Sequence, residues 1–103
     1  MVPIAQIRTY VREMARQFKP RKVILFGSHA YGKPSVDSDV DLLVIMPHSG
    51  RPPYQAAKIR TAVRAPFAVD LMVRTPSRLK KRLAMKDSFM TEIMQKGRVL
   101  HEG

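Results

Sequence analysis

Apolar residues at the start of the chain recur with the spacing of an amphipathic helix. They follow one another at intervals of three or four residues, with Arg and Glu between them: Ile4, Ile7, Val11, Met14 and Phe18. This period puts the apolar side chains on one face of a helix over residues 3–18, and Pro20 follows its last turn. We expect this helix to pack on the core.

Short runs of β-branched and large apolar residues predict the strands. Val23–Phe26 and Val40–Met46 are apolar almost throughout, which is typical of strands buried on both faces, and Phe67–Val73 has strand character too. Glycine, proline and Ser/Asp pairs between the first two runs indicate a loop, which a turn of helix starting at Ser28 precedes.

Three further segments read as helices. One runs from Tyr54 to Arg64, one begins after Thr75, and one is capped by Asp87 or Ser88 and ends at Gly97. The order helix, strand, turn, strand, helix, strand, helix, helix predicts an α/β (α+β) fold with a small three-stranded sheet flanked by helices. A short extra C-terminal strand is compatible with this order. The order of elements does not determine the directions of the strands.

Length and composition narrow the class of protein. The 103 residues predict a single domain over residues 1–103, and the absence of cysteine excludes disulfides, thiolate metal sites and cysteine nucleophiles. No apolar stretch is long enough for a bilayer, and the first residues carry charges where a signal peptide would be apolar. We therefore expect a cytoplasmic protein without a membrane partner.

The charge balance is strongly basic. Nineteen Lys and Arg stand against eight acids, for a net charge of +11. Such a surface attracts polyanions, so weak nucleic-acid binding is one expectation. The basic residues are scattered, and a solvated surface or one that faces an acidic protein stays an equal alternative.

Three aspartates stand out against this basic background. Asp39 and Asp41 are at the head of the most apolar strand, and Asp70 lies within the third strand, although aspartate is disfavoured in strands. Side chains at i and i+2 share one face of a sheet, and Asp70 joins them if the third strand lies beside the second. Three such carboxylates repel one another unless cations neutralise them, and all-oxygen ligands favour Mg²⁺ or Mn²⁺ over zinc. The alternative is that each aspartate pairs with an arginine or caps a turn.

Gly27 and Ser28 directly follow the first strand and precede a helical turn. Alone this is weak support for a site, but it is the geometry in which backbone N–H groups and a hydroxyl meet a phosphate. Of the three histidines, His29 is the one next to this turn, whereas His48 lies in a loop and His101 near the C-terminus.

Together these residues resemble a known family. The chain carries the motif LFGS, then after ten residues DVDLLV, and later VDLMV. This series of motifs resembles the nucleotidyltransferase superfamily that includes DNA polymerase β. The length of the chain resembles the minimal branch of that superfamily, the MNT proteins paired with HEPN-domain toxins. The resemblance implies a small mixed sheet, with Gly27 and Ser28 on the nucleotide phosphates. It also implies that Asp39 and Asp41 ligate two Mg²⁺ ions and that Asp70 is the third carboxylate, on the metal that activates the acceptor.

The resemblance further implies an activity and a partner. The expected reaction is Mg²⁺-dependent transfer of a nucleoside monophosphate, AMP from ATP, to a tyrosine hydroxyl of a HEPN-type toxin. The chain would then be the antitoxin and form a hetero-oligomer with that toxin. Two alternatives stay open: a non-catalytic antitoxin that neutralises its partner by occlusion, and nucleotide addition to an RNA.

The C-terminal third predicts a surface for that partner. Its two helical segments carry more apolar side chains than one face of so small a core needs: Leu83, Met85, Phe89, Met90, Ile93 and Met94. Methionine is adaptable and common at binding surfaces, so we expect some of these residues to be exposed, and packing of all six on the sheet is the alternative.

Overall fold

In the computed structural model, which describes residues 1–103, four strands form one sheet with helices on both of its faces. The helices are α1 (Ile4–Phe18), α2 (Ser28–Tyr31), α3 (Pro52–Ala62), α4 (Pro76–Ala84) and α5 (Ser88–Lys96). The strands are β1 (Lys22–Phe26), β2 (Val40–Ile45), β3 (Val69–Arg74) and β4 (Arg98–Glu102). The α/β (α+β) class is confirmed, and β4 is the extra C-terminal strand.

The sheet is mixed, with the strand order β3-β2-β1-β4. Strand β1 pairs antiparallel with both β2 and β4, whereas β2 and β3 run parallel. The chain returns from β2 to β3 through α3, as a parallel pair requires a crossover. The site that the sequence predicts depends on this parallel pair.

The alternation of side chains along β1 and β2 divides the core into two layers. Val23 and Leu25 of β1 pack with residues of α1 and α3 on one face of the sheet. Ile24 and Phe26 pack with residues of α4 and α5 on the other. Both faces of β1 are therefore buried, which explains its unbroken apolar run.

The helix ends follow local chemistry. α1 ends where Lys19 takes a left-handed conformation (φ 50°), one residue before Pro20. α3 begins at Pro52 and not at Tyr54 as predicted, because proline is well tolerated in the first turn of a helix. Thr75 caps α4 and Asp87 caps α5, each by accepting a backbone N–H in the first turn. None of the helices combines the length and the apolar character needed to cross a membrane.

The apolar residues of the C-terminal third are split between core and surface. Met90 and Ile93 are buried on the sheet, and Leu83 and Met94 pack against them. Met85 and Phe89 are 65% and 47% exposed. The expectation that some of these side chains face outward is confirmed, but Met90 belongs to the core.

Candidate active site

Two of the three aspartates face each other across neighbouring strands. The parallel register of β2 and β3 pairs Asp41 with Asp70. The strand adjacency that the sequence pattern could only assume is therefore present. Asp39 lies two residues before Asp41, just outside β2. By alternation Asp41 and Asp70 point to the face that carries Leu43 of β2, the face of α4 and α5, and Asp39 is close enough for its charge to act on Asp41.

The electrostatics of Asp41 reflect this proximity. Burial raises the pKa of Asp41, the negative charges of Asp70 and Asp39 raise it further, and nearby His29 lowers it. A carboxylate that is half-buried beside two others carries a destabilising charge, which a bound cation would relieve. The site is thus poised to attract positive charge although the protein as a whole is basic.

Gly27 brings the end of β1 against this acidic cluster. Its backbone (φ 73°, ψ −154°) lies in a region that essentially only glycine occupies, and it caps α2. A Cβ at this position would overlap Oδ2 of Asp41. The strand therefore turns sharply into α2 next to the Asp41 carboxylate, and Ser28, the first residue of α2, lies in the same turn. The sequence pattern predicted this turn, and in the structure it lies against the carboxylate of Asp41.

His29 links the turn to the N-terminus. Its Nε2 accepts a hydrogen bond from the backbone N–H of Val2 at 3.2 Å, and its Nδ1 is buried without a hydrogen-bond partner. The ring lies close enough to Asp41 to affect that residue's pKa. The sequence singled out His29 only as a neighbour of Ser28, and its contact with residue 2 had no signal in the local pattern.

Arg60 is the residue that sequence reasoning missed. It projects from α3 to within 3.9 Å of Asp70, with Nη2 nearest to Oδ1. Both side chains are about half exposed or more, so this ion pair contributes about 0–1 kcal/mol at most. An arginine on the exposed side of a helix is indistinguishable in sequence from the other basic residues. Asp70 therefore has a weak cationic neighbour that a stronger cation can displace.

The donor set fits a hard divalent cation. No group of three or more His, Cys, Asp or Glu side chains stands close enough together to hold a metal ion without movement. Asp41 and Asp70 nevertheless sit side by side on adjacent strands. Because all donors are carboxylate oxygens, the residues fit Mg²⁺ or Mn²⁺.

Comparisons with known proteins agree with this geometry. A family model described as "Nucleotidyltransferase domain" matches residues 4–100. No curated protein sequence is significantly similar to the chain.

Three solved structures share the fold. A candidate nucleotidyltransferase from Sulfolobus solfataricus is 22% identical, with a TM-score of 0.59 over 75% of this chain and 70% of that one. A toxin–antitoxin solved with AMP-PNP is 20% identical, with a TM-score of 0.59 over 93% and 73%. A mutant of the toxin–antitoxin MntA–HpeT, which carries two Asp-to-Glu changes, is 18% identical, with a TM-score of 0.56 over the same shares. At these identities the likeness is one of fold.

Proposed function

The chain belongs to the nucleotidyltransferase domain family, and from this premise we propose that it transfers AMP from ATP to a protein hydroxyl. Residues 1–103 then work as one minimal nucleotidyltransferase domain. The observation that carries the proposal is the in-register pair of Asp41 and Asp70, with Asp39 beside it and the Gly27 turn against Asp41. In metal-assisted transfer of phosphate groups, carboxylates hold the metal ions and a turn at the start of a helix binds the phosphates.

Each residue has a role in this proposal. Asp39 and Asp41 hold two Mg²⁺ ions, with Asp70 as the third carboxylate, and the turn at Gly27 and Ser28 receives the ATP phosphates. When bound, the ions neutralise phosphate charge and lower the pKa of the acceptor hydroxyl. Asp70 lies on the edge strand β3 with a mostly exposed side chain, so the acceptor approaches from that edge.

The reaction needs no covalent enzyme intermediate. The acceptor oxygen loses its proton to solvent water and attacks the α-phosphorus of ATP, the bond from that phosphorus to the bridging oxygen breaks, and pyrophosphate leaves. The residues of the chain orient the two reactants and stabilise the negative charge of the phosphates. Orientation and charge stabilisation account for most of the rate enhancement in this class of reaction. This accounts for the lack of any nucleophile–base pair at the site.

The partner in this proposal is a toxin of the HEPN type, with one of its tyrosines as the acceptor and the chain as its antitoxin. Two of the structures that share the fold are toxin–antitoxin complexes, one of them solved with AMP-PNP. The chain itself offers a surface for such a partner at the junction of α4 and α5, where Met85 and Phe89 are exposed. Lys86, exposed and next to Met85 in the chain, would help to steer an acidic partner.

The proposed function is tested by following a labelled nucleotide. The chain is incubated with Mg²⁺, ATP labelled at the α-phosphate and the protein encoded by the neighbouring gene, and the products are separated by size and digested. We expect label on a tyrosine of the partner. Label on RNA alone would favour nucleotide addition to RNA, and a complex that forms without any label would favour an antitoxin that acts by occlusion.

Ser28→Ala should weaken ATP binding while leaving part of the phosphate site intact. A hydrogen bond to a charged group contributes about 1–2 kcal/mol, so the dissociation constant is expected to rise roughly tenfold. The backbone of the turn keeps its shape because Gly27 is unchanged. Calorimetric titration with a non-hydrolysable ATP analogue and Mg²⁺ measures the change. Ser35→Ala, in the exposed loop before β2, is the control, and an unchanged affinity in Ser28→Ala would remove that hydroxyl from the site.

Substitutions at the α4–α5 junction should separate partner binding from folding. Met85→Asp changes a mostly exposed side chain, so the isolated domain is expected to fold while its complex with the toxin weakens in co-purification. Phe89→Asp should weaken the complex too, but it also removes the edge-to-face contact of Phe89 with Phe26 and should cost some stability. Met90→Asp buries an unpaired charge, because Met90 is only 4% exposed, and should cost several kcal/mol of stability. Undiminished complex formation by both exposed-site variants would place the interface elsewhere.

A further inference from the structure

A basic groove lies between α1 and β4, away from the acidic cluster. It has a volume of about 430 Å³ and is lined by Arg8, Arg12 and Arg16 of α1 and by Leu100 and His101 of β4. The three arginines recur every four residues and so form one row along the helix. We propose that this groove binds the sugar–phosphate backbone of a nucleic acid.

The charge in the groove is uncompensated at two of its three arginines. Arg16 is paired with Glu13, the only acidic residue of α1, whereas neither Arg8 nor Arg12 forms an ion pair. A net charge of +11 strengthens the potential around them. Free guanidinium groups fixed on a rigid helix bind phosphate oxygens well, because they offer several donors in one plane.

The spacing of the row suits a phosphate chain. With a rise of 1.5 Å per residue, Arg8 to Arg16 covers about 12 Å of helix axis. Phosphates along one nucleic-acid strand rise about 3.4 Å each, so the row faces three to four of them. Successive arginines are about 6 Å apart along the axis, so three charges are spread over the length of these phosphates.

The lining favours a nucleic acid over an acidic protein. Protein interfaces are anchored by buried aromatic or large apolar side chains, and none of the large exposed hydrophobic residues lines this groove. Nor does a Phe, Tyr or Trp ring, so the imidazole of His101 is the one ring of the lining that could stack on a base. Binding is therefore to the backbone and independent of sequence.

The groove and the acidic cluster lie on opposite faces of the sheet. α1 packs on the layer of Val23 and Leu25, whereas Asp41 shares its face with Leu43, in the other layer. A nucleic acid held along the row of arginines is therefore bound on the face opposite to the carboxylates. The proposal is independent of the proposed transfer reaction, because a catalytically dead site leaves the groove unchanged.

Binding of a fluorescein-labelled single-stranded RNA, followed by anisotropy at increasing KCl, tests the proposal. We expect Arg8→Gln/Arg12→Gln to weaken binding roughly tenfold and to lower the slope of log affinity against log salt by about 1.4, the value for two lost phosphate contacts. The control Lys80→Gln/Lys81→Gln removes the same number of charges from exposed positions on α4, which packs on the opposite face of the sheet. It should keep the wild-type slope of log affinity against log salt.

Three results would overturn the proposal. One is no RNA binding by the wild-type chain at low salt, and another is an equal loss in both double variants, which would indicate net charge and not a groove. The third is binding of polyglutamate through Arg8 and Arg12 in the absence of RNA binding, which would indicate an acidic protein partner. Thermal melts by circular dichroism confirm that the variants, all at exposed positions, are folded.

Discussion

Replacing Asp41 with asparagine should abolish nucleotidyl transfer and at the same time make the folded chain more stable at neutral pH. Asp41 is central to the acidic cluster, because it pairs with Asp70 in register and lies next to Gly27. Losing this carboxylate removes a cation ligand, and we expect transfer to fall by at least about 10²-fold, the scale for losing one electrostatic stabiliser of a transition state. The gain in stability follows because burial and two like charges oppose ionisation of Asp41.

The pH dependence of this gain has a definite sign. Because the pKa of Asp41 is raised in the folded state, the folded chain holds more protons than the unfolded chain between the ordinary and the raised pKa. Wild-type stability relative to Asp41→Asn therefore falls as pH rises through that interval, and the difference disappears below about pH 3.8, the ordinary aspartate pKa. Thermal unfolding of both proteins, repeated at intervals of about one pH unit between about pH 3 and pH 8, measures this difference in stability.

Asp37→Asn is the matched control, because Asp37 is exposed in the loop before the cluster. It should change neither transfer nor the pH dependence of stability. Asp70→Asn should lower transfer severely but nucleotide binding only mildly, since its proposed role concerns the acceptor. Near wild-type turnover of Asp41→Asn with Mg²⁺ would contradict the assignment of the cluster as the active site.

Gly27→Ala should disable the site through geometry and leave every carboxylate in place. An alanine Cβ at residue 27 would overlap Oδ2 of Asp41, and the backbone region of Gly27 is unfavourable for other residues by about 1–3 kcal/mol. The Asp41 carboxylate has to turn away, and misplacing a reacting group by about 1 Å can cost about 10²-fold in rate. We expect destabilisation of this size together with a loss of transfer, measured by thermal unfolding and by the label assay.

Gly50→Ala separates the two effects. Gly50 also has a positive φ (79°), but a Cβ there would have no neighbour within 4 Å. This variant should lose about 1–2 kcal/mol of stability, the ordinary cost of a left-handed backbone, and keep full transfer. If Gly27→Ala instead kept wild-type transfer, the contact of the turn with Asp41 would be irrelevant to the reaction.

Local pattern was sufficient to predict most of the fold and to single out the three aspartates as candidates. The spacing of apolar residues in α1 and the two-faced burial of β1 follow directly from periodicity, since each depends on one element alone. The shared face of Asp39 and Asp41 follows from alternation along one strand. Asp70 joined them only on the assumption of strand adjacency, which the parallel pairing of β2 and β3 now provides.

What the sequence could not predict depends on contacts between distant segments. The approach of Arg60 to Asp70 and the hydrogen bond from Val2 to His29 each join elements whose relative placement has no local signal. The same holds for Met85 and Met90. Both stand among apolar residues near the C-terminus, and only the packing of α5 on the sheet makes one exposed and the other buried.

The most direct test of the acidic cluster is a crystal of the chain grown with Mn²⁺ and a non-hydrolysable ATP analogue. Anomalous scattering locates the Mn²⁺ ions without reference to any assumed site. We expect Mn²⁺ ions ligated by carboxylate oxygens of Asp39 and Asp41, with the triphosphate of the analogue against the turn at Gly27 and Ser28. A bound analogue whose phosphates lie elsewhere, or Mn²⁺ ions that avoid these aspartates, would contradict this assignment of the site.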